Sequence, residues 1–292
     1  MPLPLEIEKK LDQIDSVATL PHIATEVLEV MRSKDTTMRK IAAVIEKDPS
    51  ITVKILKIAN SPLWGSVGKV ESVQRALVLL GLKQVSNIVI AISLYSTFAQ
   101  LKPTPHFNRD KFWRHSVGTA QIARKLCKAL EINLQGEEFV AGLIHDLGKI
   151  VMDQFMGDKF KEINEEAREK NIDSSTIEQK HLGCTHADIG AALLKRWNFP
   201  EAIVTTLQFH HFPEKAETHQ ELVSMINLAN EISKYWESKA EDKQLPDHFK
   251  NKGWQILEAK YPHISDFNMN RFIEDFCDEV DVNASLSKLM AT

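Results

Sequence analysis

The chain has 292 residues, 43% of them apolar, a composition that supports a full hydrophobic core and excludes disorder as the main state. Its 36 basic and 40 acidic residues are mixed along the length and leave a formal charge of −4, so nothing attracts a phosphate backbone globally and nucleic acid is disfavoured. Cys127, Cys184 and Cys277 are odd in number and widely spaced, which excludes a disulfide framework or a Cys-x-x-Cys zinc finger and fits a reducing compartment.

The first residues, Met1 to Glu6, show no basic leader followed by an apolar core, and the most apolar run, Ile88 to Tyr95, is far shorter than a membrane span. A cytoplasmic protein with no membrane partner is therefore expected. Apolar residues recur at helical spacing, as in Ile41, Ala42, Ile45 and then Ile51, Ile55, Ile58, Ala59, while strict alternation is hard to find; the fold class is all-α. Thr36-Thr37 can cap a helix start, Pro49 after Asp48 suits a first turn, and Asn60-Ser61-Pro62 ends that helix. Gly81 closes a helix running from about Ser72 to Leu80.

Two prolines in Lys102-Pro103-Thr104-Pro105 separate a helix ending near Phe98 from one beginning near Asn108, and mark a subdivision. Local basic clusters follow it, at Arg109, Lys111 and Arg114 and at Arg124, Lys125 and Lys128. Without an aromatic stacking platform they read as the solvated face of a helix. Between Gly157 and Lys180 the chain is dense in Lys and Glu, with Phe160, Ile163 and Ala167 as a narrow apolar stripe, which predicts a surface helix. Trp254, Ile256, Leu257, Phe267, Phe272 and Phe276 predict a C-terminal helical extension packed on the main body.

Histidines accumulate after residue 106. In Gly142-Leu143-Ile144-His145-Asp146-Leu147-Gly148-Lys149 an imidazole adjoins a carboxylate near the middle of a strongly apolar helical stretch. A carboxylate buried there needs a partner; a divalent cation meets the need, and so does the simpler role of hydrogen bonding a helix end. His115 lies in Phe112-Trp113-Arg114-His115, His186 opens the helix from Ala187 to Trp197, and His210-His211 ends the helix after Pro200. Neutral imidazoles with a carboxylate are standard ligands for zinc, iron, manganese or nickel, and separate helices can deliver them to one core. The candidate metal ligands are thus His115, His145, Asp146, His186, His210 and His211, holding one or two ions. His22, His106, His219, His248 and His263 read as surface groups, His181 stays ambiguous, and Cys184 reads as a bystander in a turn.

Several stretches together resemble the HDOD family, the HD-related output domains of bacterial signalling. They are Leu20-Pro21, Glu46 to Thr52, Leu56 to Pro62, Ala76 to Gly81, Trp113 to Ser116, Gly142 to Gly148, His186 to Gly190, Trp197 to Pro200 and His210-His211. The resemblance implies an HDOD domain over 18–213, with an N-terminal helical bundle at 18–102 packed on an HD-like helical core at 106–213. Residues 214–292 then complete the core and form the extension. The implied role is regulatory output through a protein partner.

The alternative is a metal-dependent phosphohydrolase acting on a nucleotide or other phosphorylated small molecule. Asp146 would then orient water and Lys149 would neutralise charge on a phosphoryl oxygen. Three departures from catalytic HD relatives weigh against it. The Gly-Tyr-Pro element of the HD-GYP enzymes is replaced after His210-His211 by Phe212-Pro213-Glu214; an expected aspartate becomes Asn230; and an expected glutamate falls at Lys111.

Overall fold

The computed structural model describes residues 3–14, 20–64, 69–102, 104–238 and 247–282. The beginning of the expected domain at 18, Pro103 of the expected subdivision and the end of the C-terminal extension lie outside these residues. Every regular element among the described residues is helical, as the spacing predicts.

After α1 (Leu5–Ile14), a bundle forms from α2 (His22–Arg32), α3 (Met38–Ile45), α4 (Pro49–Ala59), α5 (Val73–Leu80) and α6 (Leu82–Ala99). Its helix starts are locally encoded. The side chain of Thr37 accepts from the Lys40 N–H, Asp48 from Ser50 and Ile51, and Ser72 from Arg75, each satisfying a donor that a helix start leaves free, worth about 1 kcal/mol. Asn60 ends α4 and its amide both donates to and accepts from the backbone of Val70, at 2.8 Å each. Residues Val85 to Tyr95 of α6 are buried on all sides because α2 and α4 cover one face and the core the other. The most apolar run is thus the seam of the molecule. No described helix is long and apolar enough to cross a membrane.

The core comprises α7 (Arg109–Ala129), α8 (Glu137–Ile144), α9 (Leu147–Lys170), α10 (Ser174–Leu182), α11 (His186–Arg196), α12 (Glu201–Phe209) and α13 (Gln220–Ser238). Helix α7 packs against α8 and α13, and α11 lies between α9 and α12. The extension, α14 (Lys252–Lys260) and α15 (Met269–Val282), sinks Trp254, Leu257 and Phe276 into the same continuous core.

Three expectations are corrected. Arg109 and Arg124 do not lie on a solvated face: Arg109 pairs with the buried carboxylate of Asp153 at 2.8 Å and Arg124 with buried Glu138 at 2.8 Å. Their partners sit 44 and 14 residues away, beyond the reach of local pattern. His248 is buried, its ring against Trp254 with centroids 5.1 Å apart. The Lys/Glu-rich stretch is not one helix, because Asn171 turns the chain at φ 51° and Asp173 caps a new helix. Phe160, Ile163 and Ala167 do form its buried stripe.

Helix α9 also carries a kink at Gly157, where φ is 29° and ψ −102°. An interrupted ladder leaves carbonyls needing donors. The Phe155 carbonyl beside the kink accepts from Lys10 Nζ at 2.6 Å. Ile7 and Leu11 bury the inner face of α1, and Arg196 of α11 pairs with Asp12 at 2.6 Å.

Candidate metal centre

The His145-Asp146 pair does not lie inside a helix, as the apolar run predicts, but at the junction where α8 ends and α9 begins. The cause is a close approach that a sequence pattern does not display. A side-chain carbon on Gly148 would lie 1.9 Å from the carbonyl oxygen of His186, so α9 and α11 touch backbone to backbone and the chain must turn to enter that contact. Asp146 occupies the N-cap position of α9, yet its side chain makes no capping hydrogen bond. The simpler role for this carboxylate, fastening a helix end, is therefore not the one it plays.

Around Asp146 the structure brings together all the histidines singled out above. Oδ1 lies 3.0 Å from Nε2 of His186 and 3.6 Å from Nε2 of His210. His211 Nε2 lies 3.1 Å from His186 Nε2. On the other side, Oδ2 is 3.5 Å from Nε2 of His145 and 3.9 Å from Nε2 of His115. The prospective ligand atoms form two groups sharing Asp146: one with His186, His210 and His211, the other with His115 and His145, each within 4.8 Å. His145, His186 and His210 are 0% exposed, and His211 alone stands at a half-open rim.

The rings are held from behind. His145 Nδ1 is 2.8 Å from the Gly142 carbonyl, His210 Nδ1 is 2.7 Å from the Leu207 carbonyl, and His186 Nδ1 is 2.7 Å from Glu178 Oε2. Such anchors place the hydrogen on Nδ1 and turn the Nε2 lone pair towards the shared space, the arrangement that metal-ligating histidines use. His115 Nδ1 faces Glu237 Oε1 at 3.2 Å and Ser233 Oγ at 3.3 Å. Two buried ring atoms at the centre, His145 Nε2 and His210 Nε2, have no hydrogen-bond partner, and Asp146 Oδ1 has the His186 ring at 3.0 Å. Orphaned polar atoms in a dry interior cost several kilocalories, about 1–3 kcal/mol each, unless something completes them. A divalent cation at the Oδ1 group would complete His210 Nε2, and the residues present fit one.

Electrostatics agree. Burial drives His145 well below its ordinary pKa, with the His210 and His115 rings adding to the effect, and burial likewise lowers His210 and His211. All three are neutral, as ligands must be. Burial alone would raise Asp146, but Lys149 and then His145 and His186 hold it well below the usual carboxylate range. His186 differs: burial lowers it, yet Glu178 and Asp146 outweigh that and lift it to about 9.

Lys149, read as a candidate for phosphoryl contact, places Nζ 2.7 Å from Asp146 Oδ2 and is one-fifth exposed. Asn230 Oδ1 lies 3.1 Å from His115 Nε2, whereas Lys111 points outward from α7. His181 pairs with Glu166 at 2.5 Å, and Cys184 is buried beside the α10–α11 turn; neither belongs to the ligand groups. Sequence reasoning missed Glu178 and Glu237. Both sit in stretches rich in Lys and Glu where a solvated face is the natural reading, and only the eight-residue step from Glu178 to His186 carries a faint signal.

A family model for the HDOD domain matches residues 17–213. An uncharacterized protein of Treponema pallidum (strain Nichols) is 28% identical over 238 residues, which cover 80% of this chain and 45% of that protein. The chain therefore spans less than half the length of that relative. Among solved structures, an HDOD domain protein of unknown function from Geobacter sulfurreducens superposes with a TM-score of 0.74 and 25% identity over 96% of this chain and 97% of its own. A Shewanella amazonensis SB2B protein, named as a candidate phosphohydrolase, shares the fold with a TM-score of 0.69 and 23% identity over 98% of this chain and 97% of its own.

Proposed function

Because the chain belongs to the HDOD family, we propose that it is a regulatory module whose HD-derived core binds a divalent transition metal, and whose output is contact with another protein. The observation that carries the metal is that anchored rings face Asp146 in a buried interior with His145 Nε2 and His210 Nε2 unpartnered, and with His186 and His211 alongside. Zinc, iron, manganese and nickel all accept such a donor set. Binding is favoured over turnover because His145, His186 and His210 are fully enclosed, whereas a hydrolytic metal needs a ligand position open to substrate. The protein partner is what the family resemblance supports. Elemental analysis of untagged protein tests the metal: stoichiometric ion in the wild type and its loss in His210→Ala are expected, and metal-free, folded wild type removes the proposal.

A second reading, a metal-dependent phosphohydrolase, draws on the half-open rim at His211, the Lys149 ammonium beside Asp146 and the name given to the Shewanella protein of like fold. Asp146, His186, His210 and His211 would hold the ion, which supplies water made acidic enough to act as hydroxide near neutral pH. Lys149 would balance charge on a phosphoryl oxygen, and Glu178 would keep the His186 ring in place. Turnover of bis(p-nitrophenyl) phosphate that disappears in His210→Ala would establish this reading over the first.

A further inference from the structure

The two oxygens of Asp146 are not equivalent. Oδ1 faces the rings of His186, His210 and His211, with His186 Nε2 at 3.0 Å. Oδ2 already holds a cation, the Lys149 ammonium at 2.7 Å. On that same side His115 Nε2 is engaged with the Asn230 amide oxygen at 3.1 Å. With Glu237 at Nδ1 as well, both ring nitrogens of His115 are engaged and Nε2 is not free for a metal while that contact holds. On the Oδ1 side the rings of His186 and His210 are held by Glu178 and the Leu207 carbonyl with Nε2 directed inward.

We propose that the centre is built for a single ion, bound at Asp146 Oδ1 with His186, His210 and His211, and that Lys149 stands in for a second cation at Oδ2. The charges explain why. A second divalent ion near Oδ2 would sit within a few ångströms of the ammonium, where like charges in a poorly solvated interior repel strongly. Asn230 offers no negative charge to offset that repulsion. A neutral side chain at position 149 removes the repulsion, and an aspartate at position 230 adds the negative charge that a second ion needs.

This inference rests on the metal-binding reading, and the stoichiometry separates the two. Untagged full-length protein is equilibrated with Mn(II) or Zn(II), freed of loose ion by gel filtration, and counted by elemental analysis and native mass spectrometry. Thermal unfolding monitored by circular dichroism confirms that each variant is folded. One ion per chain is expected in the wild type, and two in Lys149→Met or in the double variant Lys149→Met/Asn230→Asp. Two ions in the wild type overturn the inference while leaving the metal reading intact, as does a single ion in both folded variants. No ion in any of them removes the metal reading itself.

Discussion

Glu178 Oε2 accepts two hydrogen bonds from His186, one from the backbone N–H and one at ring Nδ1, each 2.7 Å long. A single fully buried carboxylate thus fixes both where α11 begins and which way its first ring faces. Glu178→Gln keeps the shape but loses the charge that secures the Nδ1 hydrogen. Chelator-competition titration is expected to show metal affinity reduced by about 10–100-fold with little change in the α-helical circular dichroism signal; wild-type affinity in the variant contradicts the anchoring role.

The same contact sets a pH dependence. In the metal-free protein His186 has its pKa raised to about 9, so at neutral pH the ring carries a proton that a metal ion must displace. The sign follows: affinity rises with pH, by about tenfold per unit from pH 6, and levels off above about 9. Calorimetry in buffers of different ionisation enthalpy should record close to one proton released at pH 7. An affinity that does not change between pH 6 and 8 contradicts it.

Gly148→Ala tests the backbone contact that creates the helix junction. The added carbon would meet the His186 carbonyl at 1.9 Å, and neither main chain can yield without moving the site. Destabilisation of about 3 kcal/mol or more is expected in urea unfolding, at or beyond the upper end of ordinary overpacking. Gly183→Ala, with no close neighbour but φ of 69°, should cost less, about 1–2 kcal/mol.

Thiol chemistry offers a check that is independent of any metal. Burial pushes the Cys184 thiol up to about 12 and that of Cys127 well above its ordinary value, so neither forms thiolate at neutral pH. Iodoacetamide at pH 7.5 should leave both unmodified in the folded protein and alkylate them in urea, as peptide mass mapping would show. Rapid native labelling of either would mean the local packing is wrong.

Docking of α1 is expected to contribute to stability through Leu11, 1% exposed on the face turned to the core. Leu11→Ala should cost about 2–4 kcal/mol by chemical denaturation. Lys10→Met, which removes the donor to Phe155, should add susceptibility to proteolysis around Gly157.

Much of this was legible in the sequence where its causes are local. Ser72, Asp48 and Thr37 cap helices through atoms two or three residues away, and Asn60 and Gly81 stop them, so the N-terminal elements follow from neighbours in the chain. The histidines of the centre were legible as a set because so many imidazoles among core residues call for a common explanation. What stayed hidden depends on tertiary approach. The break before Leu147 is dictated by α11 pressing on Gly148, the burial of Arg109 by Asp153 on another helix, and the parts played by Glu178 and Glu237 by rings they meet only after folding.

The kink at Gly157 gives α9 a joint 11 residues beyond Asp146, about 16 Å along the helix axis. The segment before it carries Asp146 and Lys149; the segment after it leads into α10 and Glu178. Lys10 reaches Phe155 on the near side of that joint, and Asp12 reaches Arg196 of α11, the helix that His186 opens. The first helix is therefore a brace between the two elements that carry Asp146 and His186.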